Sequence, residues 1–318
     1  MLGSGSLANA ADKLDLYRLV HNSGLIVVAD VLKVRESSDA KESITSSDTT
    51  RTYVAAGHVR QILKGSCSEK IEIKYVRQLG LPEPGIQYGT RILFLRASND
   101  NGWTIVDPYN PSLPAVAETT VLYEPRSDDE LVRVIISELA RVLESPRASP
   151  NEKNYILNRA YAIPDSNSEF TSALRSSLSI TEDSGLRVRI LSLLLLRGDS
   201  SQLEVAQNLL LNATLSKTDR ERLLYGLSQI RTAKAADELQ NLLHAPAVDV
   251  RRAAAEALWH ISEPSTRKAL ISALSDPDRD VRFYSVRALA DIDHEPEWGP
   301  GPAEFDDHEH RYISHWKK

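Results

Sequence analysis

The sequence predicts a chain of mixed fold class, in which a small antiparallel β-barrel precedes an α-solenoid of helix pairs. Short β-branched runs separated by turn residues predict the barrel, and an arginine that recurs every 31 residues predicts the solenoid. The length of 318 residues is also that of about two domains. We therefore divide the chain into five parts: a tail and short helix at 1–24, a barrel at 25–114, a linker and connecting helix at 115–149, a solenoid at 150–292 and a cap at 293–318.

The N-terminal half begins with a short helix and continues as five strands. Leu16, Leu19 and Val20 lie at helical spacing, and Gly24 follows as a C-terminal stop. The polar stretch from Glu36 to Thr50 then predicts a long surface loop between the first two strands. The five runs with strand character are 25–34, 52–63, 70–76, 90–95 and 103–106.

The order of signals in this half resembles the netrin-like or inhibitor-of-metalloproteinase type of five-stranded OB barrel. The residues that carry the resemblance are the run VADV, the strand end ILKG at 62–65, the run KIEIKYV and Gly89 before RILFL. The resemblance implies a binding module that presents one face and its loops to a partner. The alternative is a barrel that packs against the helical domain and binds nothing itself.

The segment DPYNPSLPA at 107–115 predicts a stiff extended linker out of the barrel, because each proline disfavours helix in the residue before it. Tyr109 among these prolines either lines a ligand groove or packs across the barrel. Ser127 and Glu130 then form a capping box that starts a helix ending near Leu143. Beyond a proline-marked turn, we predict helices at 151–162, 167–178, 185–196, 200–212, 218–230, 234–244, 248–261, 264–274 and 279–292.

The repeat is clearest in two copies, DVRRAAAEALWHI from Asp249 and DVRFYSVRALADI from Asp280. Each column arginine is followed seven residues later by a leucine. This pattern resembles short HEAT repeats of the type also found in phycobilisome-lyase-like proteins. The resemblance covers about 150–292, although Asp219 occupies a valine position in an earlier copy. It implies a curved stack whose second helices line a concave face. The arginines are Arg189, Arg220, Arg251 and Arg282, and the leucines are Leu196, Leu227, Leu258 and Leu289.

The arginine column has two interpretations. Four aligned guanidinium groups could bind an anion, or each could form a structural pair with a carboxylate of a neighbouring repeat. We favour the structural ladder, because Asp249, Asp276 and Asp280 are suitably placed as partners and a paired guanidinium contributes little field to a ligand.

Aromatic residues near the C-terminus provide the candidate partner contacts. The repeat does not require Trp259 and His260 at their positions, and aromatic side chains are enriched at binding hot spots. For Trp259 we favour packing at the edge of the core, against the tail, over a partner contact. Further along, we expect Trp298 to staple a loop to the last repeat. The candidate contacts are Trp259, His260, Trp298 and Trp316.

The tail after Ile292 predicts a cap for the solenoid. Phe305, Glu309, Tyr312 and Trp316 recur at helical spacing on one face. A metal site is the sharper alternative, with Asp307, His308, His310 and either His294 or Glu295 as ligands. However, His308 and His310 are two residues apart and point to different sides of a helix. We therefore predict no metal site.

Composition narrows the function classes. The formal charge of −6 is modest and its basic residues are interspersed with acidic ones, which disfavours a nucleic-acid partner. The single cysteine, Cys67, excludes an intrachain disulfide framework and a zinc site of several thiolates. No apolar run reaches the length of a membrane span. Localisation stays open: the A-x-A-like pattern ending at Ala10 indicates a secreted or periplasmic protein if a truncated signal peptide precedes Ala11, and a cytoplasmic one otherwise.

No nucleophile, phosphate loop or set of metal ligands stands out, so we predict no catalytic residues and no cofactor. The leading hypothesis is a noncatalytic scaffold that binds a protein or peptide partner on the solenoid surface. The alternatives are an enzyme accessory, such as a chromophore-lyase-like protein, or an inhibitor-like module that binds through the barrel.

Overall fold

The computed structural model describes residues 14–37, 50–78, 85–99, 102–116, 127–212 and 214–318. The A-x-A-like pattern at 7–10 and most of the loop expected between Glu36 and Thr50 lie outside these described residues. The chain divides into two compact units, Met1–Ser177 and Leu178–Lys318. The five domain boundaries given above stay predictions.

Unit 1 contains a closed five-stranded barrel. Its strands follow one another in the order β1–β2–β3–β5–β4, and pairing of β1 with β4 closes the sheet. The contact between β3 and β5 is parallel, with Ile73 opposite Trp103, and the other four contacts are antiparallel. The predicted barrel is thus confirmed. Its strands are β1 (Leu25–Glu36), β2 (Thr50–Lys64), β3 (Lys70–Gln78), β4 (Gly89–Ala97) and β5 (Trp103–Ile105).

The inward residues of the strands form one buried core. Gly57 of β2 permits the tightest approach of two strands, since a Cβ atom there would lie 2.3 Å from the carbonyl oxygen of Asp30 on β1. The core consists of Leu25, Val27, Ala29, Val31, Ala55, Ile71, Ile73, Tyr75, Ile86, Leu93, Leu95 and Ile105.

The prediction of a linker at 107–115 is wrong in part, because the segment contains a sixth strand, β6 (Ser112–Pro114). This strand pairs with β4, where Leu113 lies opposite Ile92. Proline lacks a backbone donor and is tolerated at a sheet edge, which is the position of β6. Burial of Leu113, 1% exposed, stabilises the segment against the barrel.

The first helix, α1 (Leu16–Asn22), is shorter than predicted and does not use Gly24 as its stop. Asp15 caps its N-terminus by accepting a hydrogen bond from the amide of Arg18. Ser23 ends it, and its hydroxyl donates to the carbonyl of Leu19 over 2.6 Å. Gly24 directly precedes β1, and its amide donates to the carbonyl of Leu95 on β4.

Three further helices complete unit 1: α2 (Asp128–Glu144), α3 (Pro150–Leu157) and the start of α4 (Ser168–Ile180). Ser127 caps α2 by accepting from the amide of Glu130, as predicted. A reciprocal capping box also starts α3, where Ser149 and Glu152 bond each other's amides. We interpreted that segment only as a proline-marked turn.

Unit 2 is built from helix pairs, as the repeat predicts. The longer helices α5, α7, α9 and α11 pack side by side in sequence order. A short 3₁₀ turn precedes each of the shorter helices α6, α8 and α10, which is why those helices begin later than predicted. The bounds are α5 (Ser184–Leu196), α6 (Leu203–Asn212), α7 (Lys217–Ser228), α8 (Ala236–Leu242), α9 (Val248–Ile261), α10 (Arg267–Ala273) and α11 (Arg279–Ile292).

The C-terminal helix α12 (Pro302–Trp316) packs against α11 and confirms the predicted aromatic cap. Phe305, Tyr312 and Trp316 are all buried. The ring of Phe305 meets that of Phe283 on α11 edge to face, with centroids 5.4 Å apart. The apolar end of the repeat array is therefore covered by the chain's own tail.

Candidate functional site

Three members of the arginine column, Arg220, Arg251 and Arg282, form a ladder of ion pairs along unit 2. Arg220 makes two parallel hydrogen bonds to Asp249, of 2.6 and 2.8 Å, and Arg251 makes two to Asp276, of 2.7 and 3.1 Å. The remaining terminal nitrogen of each guanidinium donates to backbone carbonyls, that of Leu210 on α6 for Arg220 and those of Ala245 and Pro246 for Arg251. Such bidentate pairs fix the register between neighbouring helices and leave few donors for an anionic ligand.

The prediction that Asp280 pairs with an arginine of the column is wrong. Arg251 selects Asp276 instead, and Asp280 pairs with Arg279 at 2.9 Å. Arg282, the last member of the column, bonds Glu309 of α12 and the carbonyl of Asp276. The 31-residue period therefore places the arginines, but their carboxylate partners do not share one repeat position: Asp249 lies on α9, Asp276 in the turn after α10 and Glu309 on α12.

The pair of Arg220 with Asp249 gives this ladder a predicted pH dependence. The hydrogen bonds from Arg220 lower the pKa of Asp249 below its ordinary value of 3.8. Because the folded state binds the proton less tightly than the unfolded chain, the stabilisation is complete above pH 3.8 and is lost as the pH falls through the lower folded pKa.

We expect Asp249→Asn to lower the melting temperature near neutral pH, and the gap from the wild type to narrow below about pH 4. Thermal scans across the acidic range measure that gap. The matched control is Asp307→Asn, at an exposed position of α12. A gap for Asp249→Asn that stays constant down to the acid end would contradict the assigned role of the pair.

Trp259, on α9, is held rigidly at the surface of unit 2. Its indole N–H donates to Asp291 over 2.9 Å, and its ring stacks on His260 and on Tyr284, with centroids 4.5 and 5.8 Å away. The guanidinium of Arg287 lies 4.6 Å from the ring centroid. The side chain is half-buried, so the edge of a preorganised aromatic ring remains accessible to a partner.

Trp298 lies beyond Arg287 on the turn that leads to α12. Its ring stacks on His315 with a centroid distance of 3.7 Å and an interplanar angle of 6°, so it staples the turn to α12 as well as to the last repeat. Arg287 reaches the same turn, since it donates to the carbonyl of Pro300, just after Trp298, over 3.1 Å. We call this group of side chains the tryptophan strip, and it consists of Trp259, His260, Tyr284, Arg287 and Trp298.

Trp316, the fourth candidate contact, lies apart from the tryptophan strip. It is only 4% exposed and is part of the packing between α12 and the repeats. Its indole nitrogen is buried and has no hydrogen-bond partner within the described part of the chain. Trp316 therefore has little surface to offer a partner, and we retain Trp259, His260 and Trp298 as candidates.

The other sequence candidates do not assemble into a chemical site. Among the described residues, no cluster of three or more His, Cys, Asp or Glu side chains could hold a metal ion. His308 and His310 are exposed on α12. Cys67 packs against the barrel core, and burial raises the pKa of its thiol, which disfavours the reactive thiolate. Tyr109 borders a small cavity beside α1.

Residues 236–297 match the family model described as HEAT repeats. This segment of unit 2 is a HEAT-repeat region. The match includes Trp259, His260, Tyr284 and Arg287, whereas Trp298 follows its last residue directly. A search of curated proteins found no match to the sequence. Within the described residues, no helix has the length and apolar character needed to span a membrane.

Sequence reasoning missed three members of the surface around Trp259. Tyr284, Arg287 and Asp291 all lie on α11, the equivalent helix of the next HEAT repeat. The signal is present in the period. Arg287 corresponds to Glu256 one repeat earlier, and Trp259 follows Glu256 by a little under one helical turn, on the face that packs toward Arg287. Without the packing of α9 on α11, nothing in the sequence distinguishes these side chains from ordinary surface residues.

Proposed function

We propose that this protein is a noncatalytic scaffold that binds a protein or peptide partner through the tryptophan strip of its HEAT repeats. HEAT repeats are commonly protein-interaction surfaces, because stacked helix pairs present an extended face of side chains. The observation that carries the proposal is the fixed geometry of Trp259. A bond from its indole N–H and stacking on both neighbouring rings reduce the entropy that a contact would cost.

The composition of the strip supports a binding role over a purely structural one. Tryptophan, tyrosine and arginine are the residue types most enriched in binding hot spots. Here they meet on one surface, whereas the repeat needs only small or aliphatic residues to pack, such as Ala254 and Leu258 on the same helix. Exposed Tyr225, on α7, adds a further aromatic ring to the same row of helices.

The test is capture of a partner from native extract by the immobilised full chain, compared between variants by quantitative mass spectrometry. If Trp259 is a binding hot spot, Trp259→Ala should reduce recovery of the specific partner by about tenfold or more. Tyr17→Ala is the matched control, since Tyr17 is an aromatic residue 55% exposed on α1 in unit 1. We expect it to leave capture unchanged.

Folding must be separated from binding in this test. Trp259 also packs against Tyr284, so the melting temperature of each variant has to be measured alongside capture. Trp259→Phe keeps an aromatic ring but removes the donor to Asp291, and serves as the milder variant. Equal capture by the wild type and a folded Trp259→Ala protein would refute the proposal and direct attention to another surface, such as the barrel.

A further inference from the structure

The arginines of unit 2 fall into two groups. Between 217 and 318, where every residue is described, seven arginines pair with a carboxylate within 4 Å, and three do not. The paired ones are Arg220, Arg222, Arg251, Arg252, Arg267, Arg279 and Arg282. The three without a carboxylate partner are Arg231, Arg287 and Arg311.

These three arginines all lie along the tryptophan strip. Arg287 is at its centre, over the ring of Trp259. The exposed Arg311 lies at one end, with its guanidinium 5.2 Å from the ring centroid of Trp298. Arg231 lies at the other end, since it donates to the carbonyl of Ser228 at the C-terminus of α7, the helix that packs beside α9. Burial lowers the pKa of His260 on α9, and the charge of Arg231 lowers it further. The strip therefore carries a cation at each end and one in the middle.

The hydrogen bonds of these guanidinium groups use only neutral acceptors. Arg231 donates to the carbonyls of Ser228 and Ile230 and to the side-chain oxygen of Gln229. Arg287 donates to the carbonyl of Pro300. A carbonyl does not neutralise the charge, so each guanidinium remains able to attract a carboxylate from a partner.

The carboxylates nearest the strip are already engaged. Asp291 accepts from the indole of Trp259, and Glu295 accepts from His315 over 2.8 Å. Glu256 is partly buried, and desolvation raises the pKa of its carboxyl, although Ser228 and Arg231 oppose that shift. Arg231 and Arg311 are exposed and neither is paired with a carboxylate, whereas the exposed Asp291 already accepts the indole N–H of Trp259. An external cation is also disfavoured at Trp259, because Arg287 already covers that ring.

We propose that the partner contacts the tryptophan strip through an acidic peptide segment that carries an aromatic or apolar residue. Its carboxylates pair with Arg231 and Arg311, and its apolar side chain packs on the edge of Trp259. This inference rests on the proposed function, since it names the chemistry of the partner for the same surface.

The experiment measures binding of three labelled peptides of equal length to the full chain by fluorescence anisotropy. Each peptide carries one Phe, flanked by Glu, by Gln or by Lys residues. We expect the Glu peptide to bind most tightly and its affinity to fall as salt is added. The double variant Arg231→Glu, Arg311→Glu should bind the Glu peptide about tenfold more weakly, because the charge-assisted bonds are lost.

The matched control is Lys268→Glu, an identical charge reversal at an exposed position of α10. It should leave binding of the Glu peptide unchanged. Since Arg231 also bonds the C-terminal carbonyls of α7, Arg311→Glu alone is the variant to use if the double variant unfolds. We expect that single change also to weaken binding of the Glu peptide.

Two results would overturn the acidic-segment proposal. One is tighter binding of the Lys peptide than of the Glu peptide. The other is no binding of the Glu peptide while Trp259→Ala still abolishes capture of the natural partner, in which case the proposed function stands and only the chemistry assigned to the partner fails. If every strip variant binds the Glu peptide and captures the partner as well as the wild type does, both proposals are rejected.

Discussion

Arg251→Ala should lower the free energy of unfolding of unit 2 by about 3–5 kcal/mol, the range for breaking a buried ion pair from one side. The side chains of Arg251 and Asp276 are only 13% and 9% exposed. Removal of the guanidinium leaves the Asp276 carboxylate with the amide of Asp278 as its remaining bonded donor. It also frees the carbonyls of Ala245 and Pro246. Urea titrations followed by circular dichroism measure the change.

Arg267→Ala provides the control for this experiment. Arg267 makes equally short hydrogen bonds to Asp293, but its side chain is 46% exposed. Because solvent screens an exposed pair, we expect a loss of about 1 kcal/mol or less. Equal destabilisation by the two variants would show that burial does not determine the strength of these pairs.

Phe305→Ala should lower the free energy of unfolding by about 3–5 kcal/mol, the usual range for deleting a buried aromatic ring. Phe305 is fully buried and meets Phe283 of α11 and Tyr312 of its own helix. The guanidinium of Arg279 also approaches the ring, at 5.4 Å. We expect hydrogen exchange to accelerate first in α12 and α11, since the cavity opens between them.

Asp307→Ala tests whether this effect comes from packing. Asp307 is exposed on the same helix and alanine is a good helix former, so the free energy of unfolding should change by about 0.5 kcal/mol or less. If α11 of Phe305→Ala is protected from hydrogen exchange as well as α11 of the wild type, the last repeat is stable without the packing of α12.

The architecture could be read from the sequence because periodic patterns report local structure and burial. The period of Arg220, Arg251 and Arg282 places helices α7, α9 and α11 within a residue or two of their observed bounds. Strand β6 was missed because two prolines within 111–114 suppress every strand signal, and only pairing with β4 reveals it. The stop at α1 was assigned to Gly24 by composition, whereas Ser23 provides the hydrogen bond.

The candidate site was predicted only in part. Trp259 and His260 stand out from the repeat and lie on the tryptophan strip, and Arg287 bonds the turn that carries Trp298. Trp316 has the same composition signal but is buried, because its position on α12 faces the repeats. Aromatic identity thus indicates a candidate, and only packing decides between a contact and a core residue.

The ladder of ion pairs ends on α12, so carboxylates of the same chain occupy its last arginines. Arg279 and Arg282 bond Asp306 and Glu309 of α12, which occupy the role that the loop acids of another repeat would fill. A second molecule offering its own carboxylates would have to displace a covalently tethered competitor of high local concentration. Stacking of copies end to end is therefore opposed by the same arginines that hold neighbouring repeats in register.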